Sequence, residues 1–136
     1  MESGLIEILD VKDVTACLLF DNQGQLLEEV GHMEGTLDAL EAMGNSAVQT
    51  LATLKSEGSE CRQMDYVFDR FRVVVNDLQK AVLVIICQPE VDISLLRLTM
   101  SVVTDRWDED PRAQKYLDAR AQKRLTAEGI AYGTEG

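Results

Sequence analysis

The chain has 136 residues, 27% of them charged and 46% hydrophobic, which suits one soluble domain with a core of its own and room for an appended helix. Its net charge of −11 argues against non-specific nucleic-acid binding and against anionic membrane surfaces, both of which reward Lys and Arg. The longest apolar run, AVLVIIC, is too short to span a bilayer, so no direct membrane insertion is expected.

Residues 3–10 predict a short helix, with Ser3 as N-cap and Leu5, Ile6 and Leu9 on one face. VTACLLF at 14–20 is apolar on both faces, the pattern of a central strand. Asp21 to Gly24 is turn chemistry. The strand that follows, 25–30, bears Glu28 and Glu29, charges that suit a sheet edge.

Thr36 is placed to cap a helix over about 37–54. On a helical wheel its apolar and small residues cover roughly 180°, wider than the ~100° stripe that one sheet requires. The surplus edge contains Thr36, Ala39, Met43 and Thr50, and the small Ala39, Gly44 and Ala47 would admit a close neighbour. That neighbour is either another helix of the chain or a helix of a second copy.

CRQMDYVF at 61–68 alternates, with Met64, Tyr66 and Phe68 facing one way and Gln63 and Asp65 the other, as in a half-buried edge strand. FRVVVN at 71–76 and AVLVIIC at 81–87 complete three strands, the last apolar throughout and so central. Asp92 is a fitting N-cap for a helix over about 93–107, where Ile93, Leu96, Met100, Val103 and Trp107 share a face. Pairing the hairpins and setting the two apolar strands side by side predicts an α/β (α+β) domain. Its sheet has five antiparallel strands in the order 2-1-5-4-3, with helices on both faces.

Residues 108–136 read as a charged C-terminal helix or tail attached to a domain over 1–107. Pro111 suits its first turn, and Tyr116, Leu117, Ala121 and Leu125 trace a thin apolar line. Residues 1–104 carry 7 basic and 17 acidic side chains, whereas 112–124 carries five basic residues against Asp118 alone. The tail is then either a solvated helix or one that docks on an acidic surface, its own or a partner's.

These segments, from LLFDNQGQLL through CRQMDYVFDRFRVVV to ISLLRLTMSVV, resemble in order and spacing a roadblock domain of the dynein light chain type, whose layout is related to profilin and longin domains. The resemblance covers about residues 3–107. It implies a homodimer or heterodimer in which edge strands pair across a two-fold axis and the long central helices pack together. Carried onto this chain, the interface would use Thr36, Ala39, Leu40, Met43, Ala47 and Thr50 of the helix and Cys61, Gln63, Asp65 and Val67 of the strand, within a pairing edge from Cys61 to Phe68. Members of the family scaffold or regulate small Ras-like GTPases or serve as motor light chains, and bacterial members can stimulate GTP hydrolysis. The tail is a departure from the core pattern.

Reactive groups are sparse. There is no GxxxxGK[ST] and no GxGxxG after a strand. The single histidine, His32, reads as a loop residue, and Asp108-Glu109-Asp110 as a solvated run. Cys17, Cys61 and Cys87 have neither metal nor CxxC spacing. No cofactor and no metal is therefore expected, and the N-terminus lacks the basic and apolar regions of a signal peptide, so a cytoplasmic protein is expected. Arg70 and Arg72, near a hairpin tip, either neutralise Asp69 and the acidic surface or reach a partner's phosphate, and Arg112 and Lys115 of the tail are further candidates for partner contact. The expectation is a non-enzymatic dimer that regulates a small Ras-like GTPase. The alternative is a small-molecule sensor of PAS or profilin-like type, which requires a cavity between the sheet and helix 93–107.

Overall fold

Two strands without a polar face, β1 (Val14–Asp21) and β5 (Ala81–Cys87), lie side by side at the centre of the sheet. The computed structural model describes residues 1–32, 36–60 and 62–120. The other strands are β2 (Leu26–Gly31), β3 (Gln63–Val67) and β4 (Arg72–Asp77), and the sheet runs β2-β1-β5-β4-β3, every pair antiparallel. This is the predicted order. It follows because a strand apolar on both faces is stable only with a layer on each side, which leaves the alternating and charged strands for the edges.

The helices are α1 (Glu2–Leu9), α2 (Leu37–Ser56), α3 (Ile93–Glu109) and α4, a helical stretch over 111–120. One face of the sheet packs against α1, α3 and α4 through Leu19, Leu83, Ile85, Leu5, Ile8, Leu96, Met100, Trp107, Ala113 and Leu117. The other face packs against α2 through Phe20, Val73, Val84, Ile86, Leu40, Ala47 and Leu51. The caps of α2 and α3 are as predicted: Thr36 Oγ1 accepts from Ala39 N at 3.2 Å and Asp92 Oδ1 from Leu95 N at 3.1 Å. Each such cap stabilises its helix by about 1 kcal/mol.

Three local expectations change. The first helix buries Gly4, Leu5 and Ile8, while Ile6 stays 43% exposed. Its face is chosen by α3, because Gly4 lies against Trp107 so closely that a Cβ there would come within 2.8 Å of the indole. Its N-cap is Met1 and not Ser3. In α2, Gly44 does admit a close neighbour, but that neighbour is Phe20 of the chain's own sheet and not a second helix.

The helix over 111–120 is docked on the body. Ala113 and Leu117 are buried in the same core as α3. Gln114 Nε2 donates to the Trp107 carbonyl at 2.9 Å, and Arg120 lies over the Tyr116 ring at 5.0 Å. The charge pairing is the reverse of the simple expectation: the helix's one acid, Asp118, meets Lys80 of the β4–β5 turn at 2.7 Å. Ala121 and Leu125 lie outside the described residues.

Candidate interaction surface: the β3 edge and the groove beside α2

Because Gly44 lets α2 settle onto Phe20, the helix lies over the β1 side of the sheet and leaves the β3–β4 side open. The result is an apolar groove of about 460 Å³. Met43, Ser46, Ala47 and Thr50 of α2 form one wall, Tyr66, Phe68 and Phe71 the other, and Val73, Val75 and Val84 the floor. Phe68 and Phe71 stack across the β3–β4 turn with ring centroids 4.7 Å apart. Four large apolar side chains at this edge are exposed: Tyr66 39%, Val67 64%, Phe68 48% and Phe71 41%. Aromatic side chains left in water beside an apolar groove make this edge a candidate interaction site.

The backbone at this edge has a defined polarity. Asp77 N donates to the Arg62 carbonyl at 2.7 Å, and Phe68 N donates to the Phe71 carbonyl at 2.9 Å. Even-numbered residues of the strand thus turn their amides toward β4, and positions 63, 65 and 67 turn theirs away from the sheet. Side chains alternate as expected. Met64 packs on the α2 face, and Asp65 points to the α3 face, where Arg72 and Arg97 meet it.

Arg72 is held by an acid of its own chain, as its reading as a neutralising group expected, but the acid is Asp65 and not Asp69. Its Nε and Nη2 donate to the two Asp65 oxygens at 2.8 and 2.5 Å, and its side chain is only 17% exposed. The Arg72 hydrogen bonds, followed by the Arg72 and Arg97 charges, hold the Asp65 carboxyl below the usual carboxylate range. Asp65 in turn raises the Arg72 pKa. Arg70, Arg112 and Lys115 are not buried. They do not form one basic patch: Arg70 sits in the β3–β4 turn at the Cys87 end of β5, and the 111–120 helix meets Lys80 at the Ala81 end.

Of the helix residues expected at the interface, Met43, Ala47 and Thr50 line the groove. Thr36 and Ala39 are exposed at the start of α2, outside the groove. Leu40 is a correction: it is 5% exposed and belongs to the core between α2 and the sheet, because it sits at the middle of the apolar arc and not at its edge. Gln63, Asp65 and Val67 are on the edge strand, and Cys61 lies outside the described residues. Phe71, Val73 and Val75 are groove residues that sequence reasoning missed. The readable signal for Phe71 was an aromatic flanked by Arg70 and Arg72 at a hairpin tip.

Cys17 and Cys87 are free thiols buried in the core. Burial pushes Cys17 up to about 12 and Cys87 up to about 11. His32 is exposed, and its backbone N–H donates to the Thr15 carbonyl at 3.1 Å. Among the described residues no three His, Cys, Asp or Glu side chains gather as metal ligands, and no helix is long and apolar enough to cross a membrane. The space between the sheet and α3, where a small-molecule sensor would need its cavity, is filled by Leu83, Ile85, Leu96, Met100, Val103 and Trp107.

The arrangement defines a class: a small α/β domain with an open, apolar sheet edge beside a helix-lined groove. The fold is that of the roadblock/LC7 domain, as the sequence resemblance implied. A Roadblock/LC7 domain from Streptomyces avermitilis superposes with a TM-score of 0.67 at 16% identity, over 80% of this chain and 95% of that one. MglB of Myxococcus xanthus gives 0.66 at 16% identity, over 76% and 87%. The gliding protein MglB of Thermus thermophilus gives 0.64 at 20% identity, over 76% and 82%. No protein-family model matches the chain, and no curated protein is similar to it in sequence.

Proposed function

We propose that the chain is a non-catalytic homodimeric scaffold or regulator that binds a small Ras-like GTPase in the cytoplasm and modulates its GTP hydrolysis. The observation that carries this reading is the apolar groove of α2 running beside an open β3 edge. An isolated domain gains nothing from leaving Tyr66, Val67, Phe68 and Phe71 in water, whereas a second copy placed at the edge would cover them and continue the hydrogen-bonded sheet. The GTPase part rests on the roadblock resemblance and on the likeness in fold to the gliding protein MglB.

The two parts are tested separately. Light scattering at micromolar concentration is expected to give a particle of twice 15.1 kDa. A monomer would remove the dimer. Titration with Ras-like GTPases encoded beside the gene, followed by phosphate release, is expected to give binding and a changed hydrolysis rate. Absence of binding to all of them would remove the GTPase.

A further inference from the structure

Helix α3 has two apolar faces, and the body of the domain covers one of them. Leu96, Met100, Val103 and Trp107 are buried in the core. Leu95, Leu98 and Val102 lie outside it, 45%, 63% and 50% exposed. Apart from Ile6 and the β3 edge, they are the large apolar side chains that the described surface leaves in water. Their spacing alternates between three and four residues and continues in the same way through the exposed Asp105 and Glu109. At about 100° per residue, all five fall within roughly 80° of arc. That alternation is the a/d seam along which one helix packs against another. Here its first half is aliphatic and its second half acidic.

We infer that this seam docks a basic amphipathic helix of a partner protein. The occupant carries aliphatic side chains along its own a/d stripe and Lys or Arg where the stripe meets Asp105 and Glu109. The seam is on the opposite face of the sheet from the groove beside α2, so the inference stands whether or not the chain dimerises.

Charge selects the occupant. The two bases of α3 are engaged elsewhere: Arg97 lies 3.5 Å from Asp65 of β3, and Arg106 lies 2.7 Å from Glu7 of α1. Asp105 and Glu109 form no ion pair among the described residues. The α3 helix of a second copy is a poor match for them. Antiparallel, with Leu98 against the partner's Val102, it sets Leu95 against the partner's Asp105. Parallel and in register, it sets Asp105 and Glu109 against their own copies. Like charges brought together across a seam cost several kcal/mol, whereas Lys or Arg opposite these acids turns the same end of the seam into a charge-paired rim. The acidic body, with 17 acidic and 7 basic residues over 1–104, also steers a basic helix toward the domain.

Fluorescence anisotropy of the full chain with two synthetic helical peptides tests this. Both peptides carry leucine at a and d positions, and the stripe ends in two lysines in one and two glutamates in the other. The lysine peptide is expected to bind the parent about tenfold or more tightly than the glutamate peptide, and Asp105→Lys with Glu109→Lys is expected to reverse that order. Leu98→Ser, at an exposed position outside the core, is expected to weaken the lysine peptide by about tenfold, the worth of burying one leucine. Met43→Arg, in the groove on the other face, is expected to leave its affinity unchanged. No binding of the lysine peptide, equal binding of both peptides, an order that survives the charge reversal, or loss of binding in Met43→Arg but not in Leu98→Ser overturns the proposal. A scattering mass that Leu98→Ser lowers also overturns it, because a second copy then covers the stripe.

Discussion

Gly44 of α2 lies flat against the ring of Phe20 in β1, with no space between them for a Cβ. This contact sets where the helix sits and therefore where the groove opens. Gly44→Ala would add about 1 kcal/mol of helix propensity. Overpacking against a rigid, fully buried ring costs about 1–3 kcal/mol. Net destabilisation is expected in urea unfolding. A gain in stability would show that α2 is free to slide on the sheet.

Asp65 and Arg72 form a bidentate pair with both side chains under one fifth exposed. Arg72→Ala is expected to destabilise by about 1.5–3 kcal/mol at pH 7, the range for a hydrogen bond to a charged group. The folded carboxyl pKa lies below the unfolded value. The contribution is thus fully present above the unfolded value of about 4 and is lost as pH falls through the folded one. The gap between the parent and Arg72→Ala curves should narrow below pH 4, and a gap independent of pH would contradict the pairing.

Leu117 and Lys80 both hold the 111–120 helix, by different means. Leu117 is 3% exposed, and Leu117→Ala is expected to cost about 2–3 kcal/mol. The Lys80–Asp118 pair has side chains 40% and 59% exposed, so Lys80→Ala should change stability by less than about 1 kcal/mol. Thermal unfolding followed through Trp107 fluorescence compares them, and equal effects would mean that charge and not packing docks the helix.

Cys17 and Cys87 should resist a thiol reagent in the native state and react at the rate of unfolding. Their folded pKa values, about 12 and about 11, lie above the ordinary thiol value. Below the unfolded value of about 8.5 they leave stability unchanged. As pH rises toward 11–12 the unfolded thiols ionise first, and stability is lost. Urea midpoints that stay flat from pH 8 to 10.5 would contradict this.

Met43 projects into the groove from α2. Met43→Arg is expected to yield a folded monomer, with unchanged circular dichroism and half the scattering mass, because a buried unpaired cation would cost the interface several kcal/mol. Retention of the dimer would place the interface elsewhere.

The strand order was legible because the relevant patterns are local. VTACLLF and AVLVIIC have no polar face, CRQMDYVF has one, and sheet layering follows from that difference. The caps at Thr36 and Asp92 and the turn at Gly24, with φ of +85°, were legible for the same reason: each depends on a few consecutive residues. The width of the apolar arc on α2 likewise announced more apolar surface on this helix than the sheet covers.

What the arc could not specify was its own placement. The amino-acid sequence by itself determined which segments are strands and helices, which strands are central, and that one helix and one edge strand carry surplus apolar surface. Only the tertiary structure decided that Leu40 faces the core while Met43 faces the groove, since Gly44 and Phe20, distant in sequence, set the helix's rotation and position together. It also decided that Arg72 is held by Asp65, and that the basic 111–120 helix docks through Leu117 and its single acid. Propensity and periodicity act over a few residues, whereas the partner of a side chain is chosen by packing across the whole domain.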